Sequence, residues 1–260
     1  MLRPWTGLLA LDPGWALFVG ASGDNALHSH HAIQLCLSLG EPLAVETAGG
    51  RRVSSHGVAI DRDVAHRVRL PGGSGALLYV EPGSAEGRRL HASLEGEELR
   101  CLARARLREA LGSLDEIGHR PATWKEVRSF RDATVLAFAA RVGESEASRD
   151  PRVARVVELI ERRVGQRTIS ARELASHVGL STSRLAALFR REIGLPIRPF
   201  VLWTRLRRAV ESASRGGSLT QAAHAAGFAD SAHLARTFRR MFGTTPSSGL
   251  GRLRVLTGPP

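Results

Sequence analysis

The chain has 260 residues, of which 43% are hydrophobic and 24% are charged. This composition is typical of a globular protein and excludes a disordered or fibrous one, and the length is enough for two domains. The formal net charge of +12 is confined to one end: residues 1–149 carry 18 Lys and Arg against 18 Asp and Glu, whereas residues 150–260 carry 19 Arg against 7 acidic residues. A basic half of this kind favours a polyanionic partner such as nucleic acid.

The only two cysteines, Cys36 and Cys101, are isolated in the sequence. Such a pair predicts neither a disulfide framework nor a zinc site, and we expect a reducing compartment, the cytoplasm. The sequence contains no apolar run of about 18 residues and no signal-peptide pattern, so we expect neither a membrane span nor export.

The first ninety residues are predicted to form β structure. Short apolar runs recur between clusters of Gly, Pro, Asp and Asn at the spacing of a sandwich or barrel. These runs are 16–19, 33–39, 58–60 and 76–80. The adjacent glycines Gly49 and Gly50 predict a hairpin turn, because they accept the positive φ of a tight loop.

From Leu94 onward the apolar spacing becomes that of a helix. Leu and Ala recur at three- and four-residue steps from Leu99 to Leu114, which predicts an amphipathic helix whose apolar stripe binds a partner. A second helix is predicted between Trp124 and Val142.

The segment 143–149 is small and polar, and we interpret it as the linker between two domains. Asp150 and Pro151 follow it, and they suit the N-cap and the first position of a new helix.

The basic half contains an internal repeat. Residues 175–179 (ASHVG) are echoed by 223–227 (AHAAG), and residues 185–191 (LAALFRR) are echoed by 234–240 (LARTFRR). A repeat that keeps its apolar spacing and its glycine predicts one structural unit used twice, here a helix-turn-helix.

Both copies carry matching start and stop signals for two helices. A serine followed three residues later by Glu or Gln predicts a capping box, and a glycine predicts a left-handed end of the first helix. A Ser or Asp then caps the second helix. These residues are Ser170, Glu173, Gly179 and Ser181 in the first copy, and Ser218, Gln221, Gly227 and Asp230 in the second.

The exposed faces of the two second helices are the predicted DNA-reading surfaces, since their apolar residues must face the core. The candidates for base contact are Ser183, Ala186, Ala187, Ser231, Ala232, Ala235 and Arg236. The candidates for phosphate contact are Arg184, Arg190, Arg191, Arg239 and Arg240. Arg236 suits a bidentate guanine contact, whereas the short side chains of the first helix read shape or only hold the backbone. The alternative for the whole constellation is a helical bundle that binds protein.

Residues 151–250 resemble the DNA-binding domain of the AraC/XylS family of bacterial transcription regulators. The matching features are the Ala-x-x-x-Gly turn, the Leu-x-x-x-Phe-Arg-Arg helix followed by Gly194 and Pro196, a linking helix from Pro199 to about Ala213, and a second-unit signature of Ala222-Ala-x-x-x-Gly-Phe228, Phe238-Arg-Arg-x-Phe-Gly243 and Pro246. The resemblance implies a seven-helix domain whose recognition helices enter adjacent segments of the major groove. The family's base-reading positions map onto the base-contact candidates named above, most of which carry short side chains here.

The sequence His28-Ser-His30-His31 is the only site-like cluster in the first half. Strand alternation places His28 and His30 on one face, where His66 is able to join them, and three convergent histidines would make an open metal site. This segment resembles the cupin barrel that often serves the AraC/XylS family as its sensory domain, with Gly23 before the His-x-His pair. No Glu follows His30 at the cupin spacing, since Gln34 stands nearest, and we expect neither a metal nor another cofactor. The candidates for an effector pocket are Trp15, His28, His30, Ile33, His66 and Tyr79.

The expected fold class is α+β, with a cupin-like β-barrel followed by helices and then an all-α domain. The predicted domains are a sensory barrel at 1–92, a helical dimerisation region at 93–149 and a DNA-binding domain at 150–260, with helix-turn-helix motifs at 170–194 and 218–243.

The expected function is that of a sequence-specific transcription regulator without enzymatic activity, controlled by a small-molecule effector. Its expected partners are double-stranded promoter DNA, a second copy of the chain and, if it is an activator, RNA polymerase. Two alternatives stay open: a cupin-type metalloenzyme fused to a DNA-binding domain, and a constitutive regulator whose barrel only dimerises.

Overall fold

The computed structural model describes residues 5–12, 14–21, 25–70, 75–119, 121–139, 150–165, 169–193, 196–242, 245–246 and 253–257. The chain divides into two compact units, of which the first comprises residues 1–142 together with 238–260 and the second comprises residues 143–237. The predicted linker 143–149, Gly23, Gly194 and Gly243 lie outside the described residues. No helix within these ranges is both long and apolar enough to cross a membrane.

The first unit contains two β-sheets. Their strands are β1 (Thr6–Asp12), β2 (Trp15–Ala21), β3 (Ile33–Ser38), β4 (Leu43–Thr47), β5 (Arg52–Ser55), β6 (Gly57–Ile60), β7 (His66–Arg69), β8 (Gly75–Val80), β9 (Leu99–Leu102) and β10 (Leu253–Thr257). The larger sheet has the order β10-β1-β2-β8-β3-β6-β9, and the smaller one has the order β5-β4-β7. The strands predicted from the four apolar runs are confirmed as β2, β3, β6 and β8. The hairpin at Gly49 and Gly50 is confirmed as well, since β4 and β5 pair around it.

The two central strands β3 and β8 are buried along their whole length, which explains why they read as apolar runs. One face of the large sheet carries Trp15, Leu17, Leu35 and Leu78 and packs against the helices of the unit in a single apolar core. Gln34 and Tyr79 are cross-strand neighbours on β3 and β8, one residue out of phase with Leu35 and Leu78, and therefore point to the other face.

The first unit departs from the prediction in two segments: residues 85–93, of which 85–90 were predicted to be β structure, form a helix, and residues 99–102 form a strand. The helices of this unit are α1 (Ala85–Ser93), a 3-10 turn (Arg104–Leu107), α2 (Arg108–His119) and α3 (Trp124–Phe138). Residues 99–102, predicted as helix, form strand β9 because they pair with β6 at the edge of the large sheet. The leucines Leu107, Leu111 and Leu114 are buried in the core of their own unit. The expectation that this stripe binds a partner is therefore wrong.

The overall class α+β is confirmed, with two corrections of detail. The described strands form two separate sheets, where a closed barrel was expected. The second correction is β10, a strand in the part of the chain predicted to be all helical, which pairs in parallel with β1 from Gly7↔Leu253 to Leu11↔Thr257.

The second unit is helical throughout its described residues. Its helices are α4 (Pro151–Arg163), α5 (Ala171–His177), α6 (Thr182–Ile193), α7 (Ile197–Ser214) and α8 (Leu219–Ala225), while α9 (Ser231–Phe242) continues into the first unit. Asp150 caps α4 by accepting a hydrogen bond from the Arg152 N–H, with Pro151 at the first position, as predicted. The linking helix is confirmed as α7.

Candidate nucleic-acid interface and histidine cluster

The first helix-turn-helix consists of α5 and α6. The Ser170 hydroxyl accepts a hydrogen bond from the Glu173 N–H at 3.1 Å, and the Ser181 hydroxyl accepts one from the Arg184 N–H at 3.2 Å. The Glu173 carboxylate also pairs with Arg163 of α4. Leu185, Phe189 and Ile193 of α6 are fully buried in a core shared with α4, α5 and α7, so the orientation of α6 is fixed by packing.

The second helix-turn-helix consists of α8 and α9 and repeats this arrangement. Ser218 and Gln221 form a complete capping box, with N···O distances of 2.8 and 3.2 Å. The Asp230 carboxylate caps α9 by accepting from the His233 N–H at 2.6 Å. The predicted N-caps are therefore confirmed in both copies, and the complete capping box is confirmed in the second.

The turns between the helices depend on one glycine each. Gly179 has φ +65° and Gly227 has φ +80°, conformations in which a side chain would be strained. Just beyond each glycine the backbone N–H of Leu180 or Phe228 bonds back to the carbonyl of Ala175 or Ala223. This is the bond that closes a helix after a left-handed residue, and it sets the direction of the second helix.

The residues predicted to face DNA lie on the outer sides of α6 and α9. Most are exposed and two are half-buried: the exposed ones are Ser183, Ala186, Ala187, Ala232 and Arg236, and the half-buried ones are Ser231 and Ala235. The five arginines predicted to contact phosphate are also exposed, namely Arg184, Arg190, Arg191, Arg239 and Arg240. The structure thus presents two arginine-flanked helix faces to solvent, and the contacts of each residue with DNA remain a prediction.

Other arginines of the second unit serve its packing. Arg207 of α7 pairs with Glu161 of α4 at 3.0 Å, and the Arg208 guanidinium donates to the Val164 carbonyl. Both contacts join α4 to α7 beside the first helix-turn-helix. Arg207 and Arg208 therefore contact other residues of the second unit, and their charges are not counted among those predicted to face DNA.

In the first unit the structure brings four of the six predicted pocket residues together, namely His28, His30, His66 and Tyr79. His28, His30 and His66 are all buried, and one ring nitrogen of each lies within 4.8 Å of those of the other two. Residues 28 and 66 also form an isolated antiparallel bridge. The His30 ring stands edge-on to Tyr79, with 5.1 Å between centroids.

Gln34 lies at the centre of this group. Its Oε1 is 2.8 Å from His30 Nε2 and 2.9 Å from His66 Nε2. The sequence analysis identifies Gln34 only as the residue nearest to the position of the cupin glutamate, and it does not predict Gln34 as a pocket residue. The available signal was a polar amide within the mostly apolar run 33–38, and the pairing of β3 with β8 places it beside Tyr79.

Burial keeps the three rings neutral. Loss of solvent lowers the pKa of His30 to about 4, with a further contribution from His28. The same cause lowers the pKa of His66 to about 2, with contributions from His30 and His28, and lowers the pKa of His28. A neutral imidazole offers one nitrogen lone pair as a ligand.

The two remaining predicted pocket residues lie elsewhere. Trp15 and Ile33 belong to the apolar core on the helix-covered face of the large sheet, and the Trp15 ring stacks on Trp124 at 5.3 Å. Neither side chain shares a face with Gln34 and Tyr79.

Residues 174–250 match the model of a family described as a helix-turn-helix domain. The probable transcriptional regulator LumQ of Photobacterium leiognathi is 35% identical over 83 residues, which are 32% of this chain and 34% of LumQ. The chain therefore matches about a third of the length of this curated relative.

Solved structures of ToxT from Vibrio cholerae are similar over most of the chain. An apo form from strain SCE256 aligns with a TM-score of 0.54 at 10% identity, covering 90% of this chain and 96% of ToxT. Wild-type ToxT bound to an unsaturated fatty acid aligns with a TM-score of 0.51 at 10% identity, covering 90% of this chain and 94% of that one. At this level of identity the likeness shows a shared fold.

Proposed function

We propose that this chain, whose residues 174–250 match a helix-turn-helix family, is a bacterial transcription regulator of the AraC type that binds promoter DNA. The observation that carries the proposal is the pair of helix-turn-helix units with N-caps at matching positions, a glycine in each turn and exposed second helices. They lie in the half of the chain that holds the whole net charge of +12. Because promoter DNA is the proposed partner, we propose that the protein acts in the bacterial cytoplasm.

In this proposal α6 and α9 are the recognition helices. Their exposed arginines contact phosphates and fix the register of the protein on the duplex, which carries no sequence information by itself. Arg236 reads a base, because a guanidinium is able to bond both O6 and N7 of guanine. Ser183, Ala186 and Ala187 are too short for such a contact, so α6 contributes mainly position and shape readout.

The first unit is proposed to bind a small-molecule effector and to mediate formation of a homodimer, and activation of a promoter would add RNA polymerase as a partner. Support for a ligand comes from the buried histidine cluster and from the likeness in fold to ToxT, which has been crystallised with a bound fatty acid. We propose a regulatory function without enzymatic activity, in keeping with the matched relative, which is named a transcriptional regulator.

The test is a salt titration of binding to DNA fragments selected from the genome by mapping the protein's own binding sites. Each phosphate contact that releases a counterion contributes about −0.9 to the slope of log K against log salt. With several arginines engaged we expect a steep negative slope and protection of two adjacent major-groove segments. A slope near zero, or equal affinity for selected and random fragments, would overturn the proposal.

A further inference from the structure

The exposed face of α2 borders a cavity that the proposed function does not use. Its volume is about 640 Å³, within the range of roughly 300–1,000 Å³ that small-molecule sites occupy. The cavity lies between the end of strand β3, the 3-10 turn and α2, all of which belong to the first unit. Among the residues that line it are Leu39, Arg104, Arg108, Leu111, Gly112 and Asp115. None of its described lining residues belongs to the histidine cluster, so the cavity is a separate candidate site.

Two exposed arginines, Arg104 and Arg108, border the cavity near the start of α2, and neither has an acidic partner among the described residues. Arg104 forms one bond there, from Nη1 to Nε2 of His56 at 3.5 Å. The His56 ring is held from its other side, because Nδ1 lies 3.3 Å from the Ser38 carbonyl, an acceptor to which it must donate. The ring therefore accepts from Arg104 and orients the guanidinium beside the cavity without cancelling its charge.

The floor of the cavity is apolar. Leu39 and Leu111 line it and also pack in the core of the first unit. Asp115 is the only acidic residue among the described residues that line the cavity. It lies two helical turns beyond Arg108, which is about 10 Å along the axis of α2. The cavity thus joins a basic end to an acidic end over an apolar floor.

Gly112 leaves space in the wall of this cavity. A glycine inside a helix weakens the helix relative to alanine, so it usually has a packing or functional reason. Gly112 does not have a positive φ, and a Cβ placed on it meets no described atom within 4 Å. Neither the backbone conformation nor a close approach of another element therefore requires the glycine. Its missing side chain widens the cavity instead.

We propose that this cavity binds a small amphipathic oxyanion, with a carboxylate or phosphate head between Arg104 and Arg108 and an apolar body on Leu39 and Leu111. Guanidinium groups match the geometry of both heads, and burial of the apolar body adds to the affinity. The carboxylate of Asp115 repels an anionic head from the other end. This site does not rest on the proposed function.

The experiment is a calorimetric titration of the full-length protein, without DNA, with octanoate, octyl phosphate and octanol below their micelle or solubility limits. These probes share one chain and differ only in the head. We expect one site per chain for the anions and binding of octanol that is at least about tenfold weaker, since hydrogen bonds to a charged group contribute at least that factor. The anion that binds more tightly identifies the head as a carboxylate or a phosphate.

Two pairs of variants locate the bound anion. In Arg108→Gln we expect affinity to fall at least about tenfold, whereas Arg128→Gln, which changes an exposed arginine of α3 that does not line the cavity, keeps the affinity of the wild type. Gly112→Leu fills the cavity and should also weaken binding at least about tenfold, while Gly112→Ala adds only a methyl group and keeps most of it. Both residues favour a helix more than glycine does, so thermal unfolding should show two folded proteins at least as stable as the wild type.

The inference is overturned if neither anion binds or if octanol binds as tightly as the anions. It is also overturned if Arg108→Gln binds as tightly as Arg128→Gln, or if Gly112→Leu binds as tightly as Gly112→Ala. An anion that binds at the histidine cluster would produce this last pattern, with equal affinity in all four variants. Failure of the proposed DNA binding would appear only in the separate salt titration.

Discussion

Arg236 differs from Arg239 and Arg240, the other exposed arginines of α9, because it lies in the first half of the helix, the part that faces base edges in this class of domain. We expect Arg236→Ala to weaken binding to the cognate site by about 1–3 kcal/mol and to relax the preference at one base pair. The measurement is the dissociation constant on the cognate site and on fragments with single substitutions.

Arg239→Ala is the matched control, since it removes the same exposed side chain from the second half of the helix. This change should weaken binding to all sequences about equally and make the salt slope less negative by about one. If both variants lose affinity in the same sequence-independent way, Arg236 is a phosphate contact and the assignment of base reading to it is wrong.

The helix caps determine how firmly each recognition unit is held. In Ser218→Ala the capping box of α8 loses the oxygen that accepts from the Gln221 N–H, and we expect the free energy of unfolding to fall by about 1 kcal/mol. Ser214→Ala is the control, because this exposed serine lies inside the last turn of α7 and bonds only its own helix backbone. Chemical denaturation of both variants measures the difference, and equal stability would contradict a structural role for the cap.

The elements that could be predicted from the sequence are those whose signals are local. Ser218 and Gly227 act on residues within one helical turn of themselves, so both helix-turn-helix units followed from the sequence. Strand β9 did not, because the spacing of Leu99 and Leu102 also fits a helix, and its state is decided by pairing with β6 at Ile60↔Leu99. The local spacing of apolar residues around 99–102 carries no information about a pairing partner some 40 residues earlier in the chain.

The histidine cluster, too, could be predicted only where its signals are local. Alternation predicted that His28 and His30 share a face, and His66 was named as able to join them. The place of Gln34 between His30 and His66 depends on how strand β3 meets strand β7, which is a tertiary contact. The strand registers of Trp15 and Ile33 turn both side chains to the opposite face of the sheet, into the apolar core.

The pairing of β10 with β1 concerns the molecule as a whole, since it joins strands from the two ends of the described chain. Truncation after residue 252 should leave β1 with a free edge, and such edges promote association of sheets. It also removes Leu256, which packs against the core of the first unit, so we expect a loss of about 2 kcal/mol in unfolding free energy. Thermal unfolding and size-exclusion chromatography measure the two effects.

Arg254→Ala provides the comparison for this truncation. It removes only the bond from the guanidinium to the Ala122 carbonyl, 3.0 Å long, and keeps the strand pairing, so we expect a monodisperse protein of nearly unchanged stability. If the truncated protein is as stable and as monodisperse as Arg254→Ala, β10 contributes nothing to the sheet.

The same strand makes the second unit an insertion, because segments of the first unit lie both before residue 143 and after residue 237. The second unit is thus anchored by two covalent connections, and a single proteolytic cut between residues 142 and 150 would not release it. A fragment that starts at residue 150 would carry β10 without its pairing partner β1. A division of the chain at residue 150, the boundary predicted from charge and motifs, therefore separates β10 from its partner β1.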